Sequence, residues 1–392
     1  MRAWWLVFML PAAYGQPFVG PEIASAPFQS HFVSAGVTPQ PVAVVSVNRE
    51  FAIAWCIDNP DGLRRVNVAR LDANAYLIPG TMHELPATQP DADIGDPAIT
   101  ATLAGYAVVW VESQLGSPSR AVVALVDRNL NVIKEPTVIR QIGGRIDVKV
   151  LNGDLVVITG SVMSQLDSEL RIVNSVTLGA PVDDVTVAGD QLLFVAHIST
   201  HDEHPCYNFA RGPCPPGSPP VVIDHYDLFA VILYRASFMR HFDFFSSYAP
   251  AIASNGKDSL VAWFEGTPQG GGTLFAAHFD SQGLGPRLAL GQFGPDPGSI
   301  QKPGIAWDGQ RYLVVWQDKA WYANHEIRGA VVDSIGVTAF TVTDTIAEEE
   351  HPSVTAVGPG RFLVAYSTIT AGQRRIAGRF IDFPEPRRRV AH

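Results

Sequence analysis

Apolar residues recur along the chain in short runs that are separated by glycine turns. Each of the clearest runs begins with proline, passes through a short apolar stretch and a glycine turn, and ends in an apolar run that closes on an aromatic residue. These copies lie at residues 41–56, 97–112, 250–265, 303–318 and 352–367, with weaker copies at 148–160 and 185–197. Such self-similarity along a chain indicates a repeat architecture.

The last residue of each apolar run marks the repeat. These anchors are Trp55, Trp110, Ile158, His197, Trp263, Trp316 and Tyr366, at a mean interval of about 52 residues, close to the repeat length of four-stranded propeller blades. Alternating apolar segments such as 273–283 and 327–336 follow the anchors and predict further strands, and a fourth, more variable segment such as 337–345 completes the unit. No apolar helical stripe is longer than three turns.

Four strands per repeat and no helices leave a β-propeller or a long β-solenoid. The last copy stops after its third strand, at Phe383, whereas a strand-like segment at 28–35 precedes the first copy. A solenoid would need a polar cap at each end, but this surplus segment can complete the last copy. The sequence therefore predicts an all-β fold: a seven-bladed β-propeller of four-stranded antiparallel blades, closed by an N-terminal strand.

One copy contains a complete motif. It reads P-x-[IV]-A-x-[DN]-G-x-x-[FY]-L-V-x-W, with Pro303, Ile305, Ala306, Asp308, Gly309, Tyr312, Leu313, Val314 and Trp316 at the defined positions. The motif resembles the blocks of secreted bacterial β-propeller repeat proteins, which are largely uncharacterised, and the resemblance covers most of residues 41–383. It implies a propeller architecture and says almost nothing about activity. The third and fourth copies depart from it, because they lack both the proline and the tryptophan.

The first residues indicate export. Residues 1–15 have a basic start, the apolar run 3–10 and small residues at a cleavage position, which predicts a signal peptide and a secreted or periplasmic protein. The apolar run is shorter than the roughly 20 residues that a membrane-spanning helix needs. We expect a single propeller domain at 16–383, with an insertion at 198–224 in the fourth blade, and a disordered tail at 384–392.

Cysteine content and charge agree with an exported globular protein. Cys206 and Cys214 flank a short loop rich in proline and glycine, and we expect them to form a disulfide, with Cys56 as a buried free thiol. Acidic residues number 38 against 28 basic ones, for a net charge of -10. This balance disfavours a nucleic-acid partner or an anionic membrane partner, and we expect no membrane anchor after signal cleavage.

The two faces of the predicted propeller differ. The turns between first and second strands are tight pairs such as Asn255-Gly256 and Asp308-Gly309, and we call the face that they form the turn face. The loops between second and third strands, together with the links between blades, form the opposite loop face. Binding sites usually lie where loops converge on a rigid scaffold, so the loop face is where we expect a site.

Carboxylates recur on the loop face two positions after the anchors. They are Glu112, Glu265 and Asp318. Two such groups facing each other can act as the acid and the base or nucleophile on a glycosidic bond, which makes these residues catalytic candidates. The alternative is a structural role, because a feature that recurs at one repeat position is more often part of the repeat itself.

Two more groups on the loop face are candidates for binding. Trp321 and Tyr322, beside His325 and Glu326, offer aromatic faces and polar groups for a sugar or a protein ligand. His201 and His204 in the insertion are candidate ligands of a divalent metal; the alternative is a solvated surface loop. We expect no other cofactor.

These features support two hypotheses of function. The first is an exported non-enzymatic binding or scaffold propeller that engages a carbohydrate or protein partner through its loop face, because no complete catalytic motif is present. The alternative is a hydrolase or lyase that acts on polysaccharides with carboxylates of the loop face, with or without a divalent metal. Whether the protein is an enzyme stays open at this point.

Overall fold

The computed structural model describes residues 17–24, 43–47, 50–58, 64–141, 145–178, 181–189, 191–204, 207–208, 212–213, 221–234, 236–242, 247–267, 271–280, 283–294, 301–319, 324–334, 336–370 and 373–383. All regular secondary structure within these ranges is β-strand. Glycine turns and alternating apolar residues favour strands throughout, since neither can build an apolar helical face. None of the described residues belongs to a helix that could cross a membrane.

Two short strands open the described chain, and the first three sheets follow. The opening strands are β1 (Phe18–Val19) and β2 (Ile23–Ala24). Sheet 1 contains β3 (Ala43–Val47), β4 (Glu50–Asp58), β5 (Arg64–Leu71) and β6 (His83–Leu85). Sheet 2 contains β7 (Asp93–Ala101), β8 (Gly105–Gln114), β9 (Ser117–Asp127) and β10 (Val132–Gln141). Sheet 3 contains β11 (Ile146–Leu151), β12 (Asp154–Thr159), β13 (Val162–Leu166) and β14 (Ile172–Thr177).

The fourth sheet includes the insertion. Sheet 4 contains β15 (Asp184–Ala188), β16 (Gln191–His204), β19 (Val221–Tyr234) and β20 (Ala236–Phe242), and the insertion adds the small pair β17 (Tyr207–Asn208) and β18 (Gly212–Pro213). Strands β16 and β19 pair from Leu192 opposite Leu233 to His204 opposite Val221. The insertion therefore lengthens the central hairpin of this sheet.

Three sheets complete the described chain. Sheet 5 contains β21 (Ser247–Ser254), β22 (Ser259–Thr267), β23 (Gly271–Asp280), β24 (Gly283–Leu284) and β25 (Leu288–Phe293). Sheet 6 contains β26 (Gly304–Trp307), β27 (Tyr312–Asp318), β28 (Glu326–Asp333) and β29 (Gly336–Thr341). Sheet 7 contains β30 (Glu348–Gly358), β31 (Arg361–Thr370) and β32 (Gln373–Asp382), and both β1 and β2 pair with β32.

The sheets are antiparallel and pack side by side. In the described residues, the first strand of each sheet contacts the first strand of the next, and β30 also contacts β3. The fold is a β-propeller, as the sequence predicts. The segment 28–35, which we expected to supply the closing strand, lies outside the described residues, as do the predicted signal peptide 1–15 and the tail 384–392.

The core lies between neighbouring sheets, and the anchor residues fill it. Trp110 is fully buried in a cluster with residues of both sheet 1 and sheet 2, and Trp316 packs among residues of sheets 5 and 6. A Cβ atom at Gly291 would lie 2.7 Å from Cζ2 of Trp316, so this contact requires glycine. Because each sheet buries its apolar face against its neighbours, the repeat as a whole positions the first strands around a shared centre.

Candidate functional site

A cavity of about 570 Å³ lies among the first strands. Residues from β3, β7, β11, β15, β21, β26 and β30 line it, and its charged or titratable residues are Arg145, Asp147, Lys149, Asp184, Lys302 and His351. Four of them lie at or just before the beginnings of β11, β15 and β26, where the links between sheets arrive, whereas Lys149 and His351 lie further along β11 and β30. The cavity therefore has its charged lining toward the loop face.

The two oxygens of Asp184 have different partners. The ammonium of Lys302 donates to Oδ1 at 2.9 Å, and the amide of Ile252 donates to Oδ2 at 2.9 Å. Burial lowers the pKa of Lys302, but the charges of Asp184 and then Asp147 outweigh that effect, and the net pKa is above its ordinary value. Lys302 is consequently a fixed cation between two carboxylates.

Asp147 is the second carboxylate of the cavity. Its Oδ1 accepts hydrogen bonds from the amide of Val148 at 2.6 Å and from the ammonium of Lys149 at 2.8 Å. Asp147 is on β11 and Asp184 on β15, and these strands contact each other. Neighbouring first strands therefore bring two carboxylates into one cavity together with three cations, the third being Arg145.

His351 contributes an imidazole to the same cavity through an unusual backbone. Its φ is 55°, and it lies in a register shift between Glu350 and Ser353. The residue before a proline normally adopts an extended conformation, so Pro352 makes this geometry costly. Its amide donates to Oε1 of Gln317 at 3.0 Å. The same geometry recurs at Ala249, the residue before Pro250, where φ is 46° in another register shift, so this backbone is a feature of the repeat, and in this copy it carries a histidine.

A second polar cluster lies nearby, between sheets 6 and 7. Nδ1 of His325, just before β28, is 2.9 Å from Oε2 of Glu348 and 3.4 Å from Oε1 of Glu350. One ligand atom from each of the three residues lies within 4.8 Å of the others, so the group could hold a metal ion. The sequence predicted a different metal site, at His201 and His204. The backbones of these residues lie in β16, and their side chains are not described.

The recurring carboxylates have structural partners. Glu112 is buried and accepts hydrogen bonds from the amide of Thr88 at 2.8 Å and from the indole of Trp110 at 3.2 Å. Thr88 lies in the link that arrives from sheet 1, so the carboxylate binds this link to sheet 2.

Each of the other two carboxylates repeats one of these contacts, either with the anchor tryptophan or with the link from the preceding sheet. Glu265 accepts from the indole of Trp263 and the guanidinium of Arg287, each at 2.8 Å. Asp318 accepts from the amide of Gly294 at 2.8 Å. These contacts match the structural role that the sequence left open as an alternative, and catalysis by any of the three stays a prediction.

The predicted ligand-binding residues are partly described. His325 belongs to the cluster above, and Glu326 accepts a hydrogen bond from Arg328 at 2.7 Å. Trp321, Tyr322 and the predicted disulfide between Cys206 and Cys214 lie outside the described residues. Cys56 is a buried cysteine that forms no disulfide with a described residue, as the sequence predicts.

Asp147 and Asp184 were not predicted, although the sequence contains a signal for them. In the third repeat, Asp147 pairs with the anchor Ile158, which is the position that proline occupies in the regular copies. Asp184 likewise begins the first strand of the fourth repeat. The two copies that break the motif are therefore the two that place carboxylates in the cavity, and such departures from a local pattern are typical of functional sites.

Comparisons with known proteins concern the fold. No protein-family model matches the chain, and no curated protein matches its sequence. A solved structure of a protein of unknown function from Dyadobacter fermentans is 10% identical, with a TM-score of 0.53 over 96% of this chain and 100% of that one. A Trypanosoma rangeli sialidase variant with trans-sialidase activity is 7% identical, with a TM-score of 0.46 over 94% of this chain and 58% of that chain.

A third solved structure, a Bacillus subtilis arabinanase, is 8% identical, with a TM-score of 0.35 over 89% of this chain and 94% of that one. The similar structures of named activity include glycoside hydrolases, namely the sialidase and the arabinanase, so the hypothesis of a non-enzymatic binding or scaffold propeller finds no support here and the enzymatic alternative replaces it. At this identity the likeness itself concerns the architecture alone.

Proposed function

We propose that the protein is a carbohydrate-active enzyme that hydrolyses glycosidic bonds in the central cavity. One observation carries the proposal: Asp147 and Asp184, from neighbouring first strands, line a cavity of about 570 Å³. Hydrolysis of a glycosidic bond requires two carboxyl groups, one to protonate the leaving oxygen and one to act as base or nucleophile. A cavity of this volume is within the range of sites that enclose small ligands.

The two carboxyl groups have the same kinds of partner. Asp184 accepts from the ammonium of Lys302 and from the amide of Ile252, and Asp147 accepts from the ammonium of Lys149 and from the amide of Val148. One of the two protonates the leaving oxygen, and the other acts as base or nucleophile and stabilises the positive charge that develops on the sugar ring.

The test measures the release of reducing sugar from a panel of neutral and acidic polysaccharides. We expect turnover of at least one polysaccharide, and a loss of about 10²-fold or more in Asp147→Asn and in Asp184→Asn. Asp382→Asn is the matched control. Asp382 forms an ion pair with Arg361 at the end of β32, a strand that does not line the cavity. Turnover that survives both cavity substitutions in folded protein would refute the assignment, and unsaturated products would reassign the reaction to elimination.

Trp321 and Tyr322 remain our proposed sugar-stacking residues, on the sequence argument alone. Aromatic faces stack on sugar rings and raise affinity without entering the chemistry. We expect Trp321→Ala with Tyr322→Ala to raise KM and to leave kcat nearly unchanged. An unchanged KM on the best polysaccharide of the panel would remove this subsite.

We also infer that the propeller has seven blades and that its N-terminal segment closes the ring. The pairing of β1 and β2 with β32 supports closure, as does the hydrogen bond from Tyr366 to Glu22 at 2.8 Å. Burial and the charge of Glu22 raise the pKa of Tyr366.

The pattern of residues 1–15 supports export to a secreted or periplasmic location, and N-terminal sequencing of the mature protein tests this proposal.

A further inference from the structure

We propose that His325, Glu348 and Glu350 bind one divalent transition-metal ion of the zinc type, between sheets 6 and 7. The site is separate from the carboxylate pair of the cavity. One imidazole nitrogen and two carboxylate oxygens form a donor set that suits Zn²⁺. Three protein ligands leave a fourth position of a tetrahedral ion for water.

The geometry is close to that of a bound ion. Bonds of about 2.0–2.1 Å place neighbouring ligand atoms of a tetrahedral zinc ion roughly 3.3 Å apart. Nδ1 of His325 is 3.4 Å from Oε1 of Glu350 and 2.9 Å from Oε2 of Glu348. The second distance has to increase by a few tenths of an ångström, and the exposed part of Glu348 leaves its side chain free to move that far. The ligand oxygens of the two glutamates lie within 4.8 Å of each other.

The backbone holds the three residues in place. Glu348 and Glu350 are two residues apart on β30, so both side chains lie on the same side of the strand. The amide of His325 donates to Oε2 of Glu348 at 2.9 Å, and the amide of Glu349 donates to the carbonyl of His325 at 3.0 Å. The ligands thus come from two sheets that are already joined at this point.

A hydrogen-bonded histidine alone accounts poorly for the cluster. His325 is 8% exposed, and its Nε2 is buried without a hydrogen-bond partner, which is costly. Protonation of the ring supplies one positive charge against two carboxylates and leaves that buried N–H unsatisfied. A divalent cation balances both carboxylates, and the energy of coordination at Nδ1 offsets the cost of the unpartnered Nε2.

His278 shows what a histidine–carboxylate pair looks like on the turn face. Its Nδ1 is 2.8 Å from Oδ2 of Asp258, but its side chain is 42% exposed and it has one carboxylate partner in the described structure. This pair resembles an ordinary surface interaction. His278 is therefore the matched control for His325.

An ion at this site would also affect the cavity. Glu350 directly precedes His351, whose strained backbone places its imidazole at the cavity wall. Coordination of Glu350 would fix the beginning of β30 and thereby hold His351 in position. The metal is then a positioning element that joins two sheets, and its binding can be measured without any substrate.

The experiment is calorimetric titration of the chelator-treated full chain with ZnCl₂. We expect one zinc ion per chain and a rise in Tm on loading, because a ligand of the folded state stabilises it. His325→Ala and Glu350→Gln should each weaken zinc binding at least tenfold, and His278→Ala should bind like the wild type. Circular dichroism checks that each variant is folded.

Glu348→Gln is the second variant, in case the more buried substitutions fail to fold. Its side chain is 34% exposed, so we expect a folded protein with the same tenfold loss. The proposal is overturned if the wild type takes up no zinc, if these substitutions leave zinc affinity unchanged, or if the chain binds Ca²⁺ in preference, since calcium selects oxygen ligands. None of these results depends on glycan turnover, so the proposed hydrolase stands or falls separately.

Discussion

Aspartates on the two faces of the propeller have different surroundings. On the turn face, Oδ1 of Asp308 accepts the amides of Gln310 and Arg311, and Oδ2 accepts the amide of Gly360 in the next sheet. On the loop face, Asp184 accepts one amide and the ammonium of Lys302 beside an open cavity. The carboxylate of Asp308 is bound by three backbone amides and therefore stabilises the fold. The carboxylate of Asp184 lies beside a cavity, where a ligand can reach it.

The largest expected effect is on stability and belongs to the turn face. Asp308→Ala removes three hydrogen bonds and leaves the buried guanidinium of Arg311 without its carboxylate, 3.6 Å away. Breaking a buried pair costs about 3–5 kcal/mol. Urea denaturation should show that loss in the free energy of unfolding, while turnover per folded molecule stays near that of the wild type. A stable, inactive variant would mean that the two faces are not separate in function.

The next effect is on turnover and belongs to the loop face. Asp184→Asn should lower kcat by about 10²-fold, roughly 2.7 kcal/mol of transition-state stabilisation. Its circular dichroism spectrum should match that of the wild type, because asparagine keeps the shape of the side chain and can still accept from Ile252. A variant that unfolds like Asp308→Ala would instead make Asp184 a structural residue.

A smaller effect sharpens the description of the turn face. The hydroxyl of Tyr312 donates to Oδ1 of Asp258 in the preceding sheet at 3.3 Å, and burial, followed by the charge of Asp258, raises the pKa of this tyrosine. Tyr312→Phe removes this hydrogen bond and should cost about 1 kcal/mol of unfolding free energy with no change in kcat. Thermal denaturation measures the loss of unfolding free energy. A fall in kcat would contradict a purely structural role for Tyr312.

The smallest effect concerns the pH dependence of stability. Because the pKa of Lys302 is raised above its ordinary value of about 10.4, its stabilising contribution is complete below that pH and is lost as the pH rises through the folded-state value. The side chain is 35% exposed, so we expect Lys302→Met to cost at most about 1 kcal/mol near pH 8. This difference from the wild type should shrink in strong alkali, and a difference that grows would contradict the ion pair.

Much of the fold was predictable because the repeat is local. The turn at Asp308-Gly309 and the apolar run that ends at Trp316 are read directly from the chain. In the structure β26 ends directly before the turn, and β27 ends two residues after Trp316. The strands that pair with the outer edge of β32 were less predictable. In the described structure these are β1 and β2, and short strand signals near a chain end do not show which edge they pair with. The predicted strand 28–35 lies outside the described residues.

The candidate site was less predictable than the fold. Glu112, Glu265 and Asp318 were predicted as candidates because they recur at one position of the repeat. In the structure, each accepts hydrogen bonds that hold the repeat together. Asp147 and Asp184 do not recur in the motif. They lie in the third and fourth copies, where the motif is lost. The regular positions of the repeat therefore do not point to them.

The strands, the tight turns of the turn face and the burial of the anchor tryptophans follow from the chain alone, because they depend on periodicity within about 15 residues. Which charged groups meet depends on how the sheets pack. Asp184 and Lys302 are 118 residues apart in the chain, as His325 is 23 residues from Glu348. The first pair forms because the first strands of separate sheets converge on one centre, and the second because the start of β28 packs against β30 of the next sheet. Neither kind of packing leaves a spacing pattern in the sequence.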